Sequence, residues 1–166
     1  MPTPWGRIFL WLFVVDLGIA FGAGLYEHRI VLPQWVHDDP GGIIWFNAHA
    51  AREANTGLRF WVYVTTAPLT LLTLVNLVFA WRAPRVMRRF WLGAGVAALF
   101  DRVLTFSYFI PTMVALMNES LSEREAAERG MQWIQLNYVR HALVLAAWLL
   151  ALKAFSMLGD TRAEGH

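Results

Sequence analysis

The sequence predicts an all-α fold: a four-helix transmembrane bundle forming a single domain over residues 1–166. Three observations carry that prediction. Of the 166 residues, 57% are hydrophobic and 16% charged, against roughly 45–50% and about 25% in soluble domains. The apolar residues gather into four runs, each about 20 residues or longer, enough at 1.5 Å per residue to cross a ~30 Å hydrocarbon layer. Most charges lie between the runs. A soluble domain of this length would need a polar surface that this composition does not supply.

The first run, residues 8–26, follows Arg7 and ends in small residues, Phe21-Gly-Ala-Gly24. Asp16 interrupts its apolar centre, so it is read as the first span and not as a cleaved leader. The loop after it contains Asp39-Pro-Gly-Gly42, a strong turn signal. A short helix is expected next, from Ile43 to Asn55, ended by Gly57. Its Ile43, Trp45 and Phe46 place it on the membrane surface. The second span covers residues 58–81, with a kink expected at Pro68. Ala83-Pro84-Arg85 makes a very short connection, so the second and third spans are antiparallel neighbours. The third covers residues 90–110, closed by Pro111. Ser122-Glu-Arg-Glu125 has capping-box spacing, hydroxyl and carboxylate each capping the other's backbone N–H. A helix starts there and extends into the fourth span, residues 133–155. Gly18-x-x-x-Gly22 and Gly93-x-x-x-Ala97 permit close helix approach.

Loop charges set the expected orientation. Arg7, Arg82, Arg85, Arg88, Arg89, Lys153 and Arg162 fall on one side. Arg29, Arg52, Arg59, Arg124 and Arg129 fall on the other, with Glu27, Asp38, Asp39, Glu53, Glu119, Glu123, Glu125 and Glu128. The bias puts both termini in the cytoplasm of a cell inner or plasma membrane and the two longer loops outside. The same reading turns the arginine cluster into a topology signal and excludes nucleic acid as a partner, since no nucleic-acid motif accompanies it. The lipid bilayer is the expected partner, and a second copy of the chain is a further candidate. The absence of cysteine removes thiol nucleophiles, thiolate zinc sites and cysteine-ligated clusters. There is no HExxH motif, no Gly-rich phosphate loop and no G-x-S-x-G elbow.

Ionisable groups inside spans cost about 2.5–3.5 kcal/mol each on insertion scales, so they require partners or a wet cavity. Here they are Asp16, Asp101, Arg102, Arg140 and His141, with Glu27 and His28 at the outer end of the first span. Asp16 and Glu27, eleven residues apart, share a helix face with Ala20, Ala23 and Gly24 near the stripe between them. Asp101, Thr105 and Tyr108 share a face of the third span with Arg102 beside it. Trp133, Asn137, Arg140, His141 and Val144 form a stripe on the fourth. Asp16 lies roughly 12 Å and Asp101–Arg102 roughly 16 Å from the inner surface, and Arg140 roughly 10 Å from the outer one. A buried polar cluster open toward the outside is expected, with the short loop helix as its lid. Two readings stand side by side. Asp16–Arg102 and Asp101–Arg140 can be ion pairs that fix the bundle, or the same groups can line a binding or reaction cavity. His37, His49 and His166 read as solvated. His28 and His141 lie near charges that would shift their titration toward use. Both are also conceivable haem ligands, and with Glu27 a zinc or copper site, although neither carries a second-shell signature.

Gly22-Ala-Gly-Leu-Tyr-Glu27 followed by Pro33, Thr105 with Pro111 six residues on, and Trp133 with Asn137 and Arg140 opening the last span resemble the anthrone-oxygenase-like family of small four-helix integral membrane proteins. The resemblance covers the first, third and fourth spans. It implies oxidation of a polycyclic phenolic anthrone to a quinone by dioxygen, with no metal or flavin cofactor. On that reading His28 or His141 is the base, oriented by Glu27 or Asn137. Arg140 and Arg102 hold the resulting anion, while Tyr26, Phe106, Tyr108 and Trp133 wall a flat aromatic substrate. A non-enzymatic accessory, carrier or binding protein is the competing expectation. A haem- or quinone-binding electron-transfer protein is the third.

Overall fold

In the computed structural model, which describes residues 3–38 and 44–163, four helical segments are long and apolar enough to cross a membrane: Pro4–Gln34, Gly57–Trp81, Arg85–Met117 and Glu123–Leu158. The first consists of α1 (Pro4–Tyr26), a π-helical stretch (Glu27–Val31) and a 3-10 turn (Leu32–Gln34). Two short antiparallel strands follow, β1 (Val36–Asp38) and β2 (Ile44–Phe46), with Val36 opposite Phe46 and His37 opposite Trp45. Then come α2 (Ala48–Ala54), a π-helix over Gly57–Thr66, α3 (Ala67–Trp81), α4 (Arg85–Leu104), a π-helix over Thr105–Phe109, α5 (Ile110–Met117) and α6 (Glu123–Ala163). The turn at Asp39–Gly42, Ile43 and His166 lie outside the described residues. In the bundle α1 packs on α3 and α6, and α4 packs on the same two, closing a four-membered ring.

Two expectations about boundaries are corrected. Residues 44–46 are strand, not helix, because they pair with residues 36–38. The loop helix starts after Asn47, whose Oδ1 accepts from the Ala50 N–H at 2.9 Å. It ends at Asn55, in the left-handed region at φ 41°, so Gly57 belongs to the next span. The third span does not close at Pro111 but runs on to Met117.

All three spans that contain an internal proline solve the same problem in the same way. A proline has no N–H to give, and its ring clashes with the carbonyl four residues back. In each case the residue just before the proline reaches back five residues instead of four. Leu32 N–H bonds the Glu27 carbonyl ahead of Pro33, Ala67 that of Val62 ahead of Pro68, and Ile110 that of Thr105 ahead of Pro111. The helix widens, continues, and places the proline in the first turn of the segment beyond, an α-helix at Pro68 and Pro111 and a 3-10 turn at Pro33, where a missing donor costs least. Hydroxyls and an amide cover neighbouring carbonyls: Thr65 to Trp61 at 3.2 Å, Ser107 to Val103 at 2.7 Å and Gln34 to Ile30 at 3.0 Å. Side-chain repair of this kind is what permits proline inside a span.

The capping box forms as expected. Glu125 Oε2 accepts from Ser122 N–H at 3.1 Å and from Ser122 Oγ–H at 2.7 Å, and α6 then continues unbroken through 41 residues. The half of the bundle nearer the N-terminus is apolar, built on Leu10, Phe13, Leu17, Leu69 and Trp91, with Ala147, Ala151 and Ala154 letting α6 approach closely. Gly18 is a true close approach, since a Cβ there would stand 3.2 Å from the Trp148 ring, whereas Gly22 faces open space. Large apolar side chains such as Trp11, Leu71, Val78, Phe100 and Leu149 point outward, the surface a lipid environment calls for. One amide interrupts this core. Asn76 Nδ2 donates to the carbonyls of Leu72 (2.8 Å) and Phe9 (3.1 Å), and its Oδ1 accepts from Trp91 Nε1 at 2.9 Å. It joins α1, α3 and α4 with every polar atom used.

Candidate functional site

The half of the bundle farther from the N-terminus, around the end of the first span, holds the buried ionisable groups. Asp101 on α4 is fully buried and uses both oxygens: Oδ2 accepts from Arg102 Nε (3.1 Å) and Nη2, and Oδ1 from Arg140 Nε at 3.2 Å. Neighbouring residues on a helix do not ordinarily face each other, but the long arginine stem folds back onto its own predecessor. The expected Asp101–Arg140 pair is therefore present. The expected Asp16–Arg102 pair is not, because Asp101 takes Arg102. Asp16, 7% exposed, feels Arg102 only through space, and its Oδ2 has no hydrogen-bond partner in the protein.

Arg140 is fixed on three sides. Besides Asp101, its Nη1 donates to Asn137 Oδ1 at 3.3 Å, and its guanidinium carbon sits 4.5 Å from the centre of the Phe109 ring, a cation–π distance. Asn137 is anchored in turn to the Trp133 carbonyl at 3.2 Å. The Asn137 side chain thus orients Arg140, while His141 is reached by the Asn137 backbone. Glu27 does not orient a histidine. Its Oε1 accepts from Thr56 Oγ1 and from Trp61 Nε1, both at 2.7 Å, so it ties the end of the first span to the start of the second.

His141 sits against Gly24, where a Cβ would come within 2.6 Å of Nε2. The requirement for glycine here is one of space. Gly24→Ala should push His141 out of place and lower thermal stability by about 1–3 kcal/mol, the usual range for overpacking. A histidine NMR spectrum unchanged from wild type would contradict that contact. His28 lies edge-on to His141 at 5.6 Å and to Tyr138 at 4.3 Å. The two histidine rings thus meet edge to face at the far end of the first span. Among the described residues no group of three or more His, Cys, Asp or Glu is placed to hold a metal ion.

These side chains enclose a cavity of about 20 Å³ lined by Glu27, Trp61, Arg102, Asn137, Arg140 and His141, with Ala20, Gly24, Thr65 and Val144 completing the wall. A single water needs roughly 10–15 Å³ on the same measure, so the space suits one or two small groups. Arg102 Nη1 is buried without a protein partner. Of the expected aromatic wall, Tyr26 (62% exposed) and Phe106 (50% exposed) face outward. Trp133 and Tyr108 belong to the apolar cluster around Phe109, where Trp133 Nε1 donates to the Phe109 carbonyl at 3.1 Å. The expected lid is also displaced. Arg52 of α2 bonds the Met117 carbonyl at 2.6 Å and Glu119 at 2.5 Å, pinning the helix to the end of α5, and none of its residues line the cavity. A separate groove of 1210 Å³ opens between β2, α2 and the start of α6, with Trp45, Phe46, Leu116 and Met131 among its walls.

Trp61, Thr56 and Thr65 were not among the residues singled out from the sequence. The second span carries no charge beyond Arg59, so nothing ionisable drew attention to it. An indole and two hydroxyls just upstream of Pro68 were the available signal. No protein-family model matches the chain, and comparison with curated proteins and with solved structures gives no match.

Proposed function

We propose that the chain is an integral membrane oxidoreductase with both termini cytoplasmic, acting on a lipophilic phenolic or quinone-like aromatic without a bound cofactor. One observation supports it above the others. A histidine, a carboxylate and two guanidiniums, one with a free N–H, converge from three spans on one water-sized cavity. His141 is the group placed to take a proton from an acidic C–H, and Arg102 with Arg140 would hold the oxyanion that forms. Dioxygen is the oxidant: the methylene carbon becomes a carbonyl and the second oxygen atom leaves as water. The cavity size limits what enters. A carbonyl edge or dioxygen fits; a tricyclic body does not, and would lie against the bilayer-facing side chains.

The experiment is turnover of a small anthrone panel by detergent-purified protein, followed by oxygen uptake and quinone absorbance. Arg140→Gln and His141→Leu should each reduce kcat/KM at least about 100-fold. Melting should stay near wild type for Arg140→Gln, because Asp101 keeps Arg102. Substrate consumption that neither variant alters would sink the assignment.

The competing reading, a non-enzymatic membrane protein whose charges only brace the bundle, draws on a different observation: both oxygens of Asp101 are already satisfied at zero exposure. It predicts that no substrate is consumed by the wild type and that both variants melt earlier.

A further inference from the structure

We propose that the buried charge cluster contains one neutral carboxylic acid, Asp16, which exchanges its proton through the His141 cavity and not through the half of the bundle nearer the N-terminus. Two guanidiniums, Arg102 and Arg140, face three carboxyls: Asp16, Glu27 and Asp101. In an apolar surrounding an uncompensated ionic charge is expensive, and the group concerned neutralises instead. The hydrogen bonds indicate which one. Asp101 receives charged donors on both oxygens, which favours its ionised form. Glu27 Oε1 accepts two hydrogen bonds, from a hydroxyl and an indole. Asp16 Oδ2 is buried and accepts none. The carboxyl left without a donor is the one that meets a cation only through space, at Arg102, with no hydrogen bond to hold its charge.

The other groups facing it are few. On α4 they are Asp101 and Arg102; on α6, Arg140 and His141; beyond the end of α1, Glu27 and His28. α3 carries no titratable side chain, and Arg59 and Tyr63 of the preceding π-helix are exposed. On the N-terminal side of Asp16 the way is closed by Leu10, Phe13 and Trp91, all at 0% exposure. One turn the other way stands Ala20, then Gly24 and His141, all three lining the cavity. Asp16 is thus a proton store with a single outlet, whatever molecule reacts in the cavity.

Infrared spectroscopy of the purified full chain tests this without substrate. At neutral pH the wild type should show the carbonyl stretch of one protonated carboxylic acid. The band should vanish in Asp16→Asn and persist in Glu27→Gln. Labelling aspartate side-chain carboxyls with carbon-13 in the wild-type chain should shift the same band, which keeps the assignment testable if Asp16→Asn does not fold. In heavy-water buffer, His141→Leu should slow deuteration of the band at least about tenfold. No acid band, or a band unmoved by labelled aspartate and lost in Glu27→Gln, overturns the assignment. Exchange at the wild-type rate in His141→Leu overturns the outlet.

Discussion

Asp101→Asn should cost about 3–5 kcal/mol of stability, the largest loss expected from a single neutralising change in this chain. The carboxylate is fully buried and, among the described residues, is the acceptor that the Arg102 guanidinium reaches, while Arg140 leans on it from α6. Asparagine keeps the size but leaves two adjacent cations with one neutral oxygen between them. Both then pay for burial without a counter-charge, and they repel each other. The same change breaks the polar tie between α4 and α6, neighbours along most of the bundle. Thermal or denaturant unfolding in detergent would measure the loss, and a change below about 1 kcal/mol would mean that water or lipid headgroups already solvate the cluster. Adding Arg140→Gln to the variant should recover part of the loss, because removing one cation relieves the repulsion; coupled sites of this kind do not add.

Asn76→Leu comes second, at about 2 kcal/mol. Leucine fits the volume, so packing loss is small. The damage lies in what the amide leaves behind: Trp91 Nε1 at zero exposure with its only acceptor gone. An orphaned buried donor costs about 1–3 kcal/mol. The two donated bonds go to the Leu72 and Phe9 carbonyls and add little, since interhelical hydrogen bonds in membranes average about 0.6 kcal/mol. Pairing the change with Trp91→Phe separates these contributions. If the orphaned N–H dominates, the double variant should be more stable than the sum of the single losses; simple additivity would place the cost in the lost carbonyl contacts instead.

The spans, the short turn between α3 and α4, the capping box at Ser122 and the Asp101–Arg140 pair were all legible in the sequence. Each follows from local pattern: apolar length, a Pro-Arg break, a hydroxyl three residues before a carboxylate, and charges on matching helical faces. What was illegible depended on choices between partners. Arg102 could reach Asp16 or Asp101, and phase alone cannot rank an adjacent residue whose arginine stem folds back. Glu27 reads with the histidine beside it, but its donors are Thr56 and Trp61, 29 and 34 residues further along the chain. Pro111 was read as a stop because proline ends most helices; inside a bundle, a wide turn and a few hydroxyls make continuing cheaper than exposing backbone to lipid. The loop strands were missed because three residues are too few for a period to emerge.

The wide turns bear on how this chain should be aligned. The five-residue wide turn before Pro111 holds about one extra residue relative to an α-turn, so a helical wheel drawn straight through it rotates everything beyond by about 100°, and the ten-residue stretch before Pro68 shifts the wheel further. A homologue lacking one of these prolines could keep the same backbone path and the same facing residues with one residue fewer. Its best alignment would then carry a single gap inside a membrane span. Such a gap is usually taken as a sign of misregistration, but beside these prolines it would mark the same architecture.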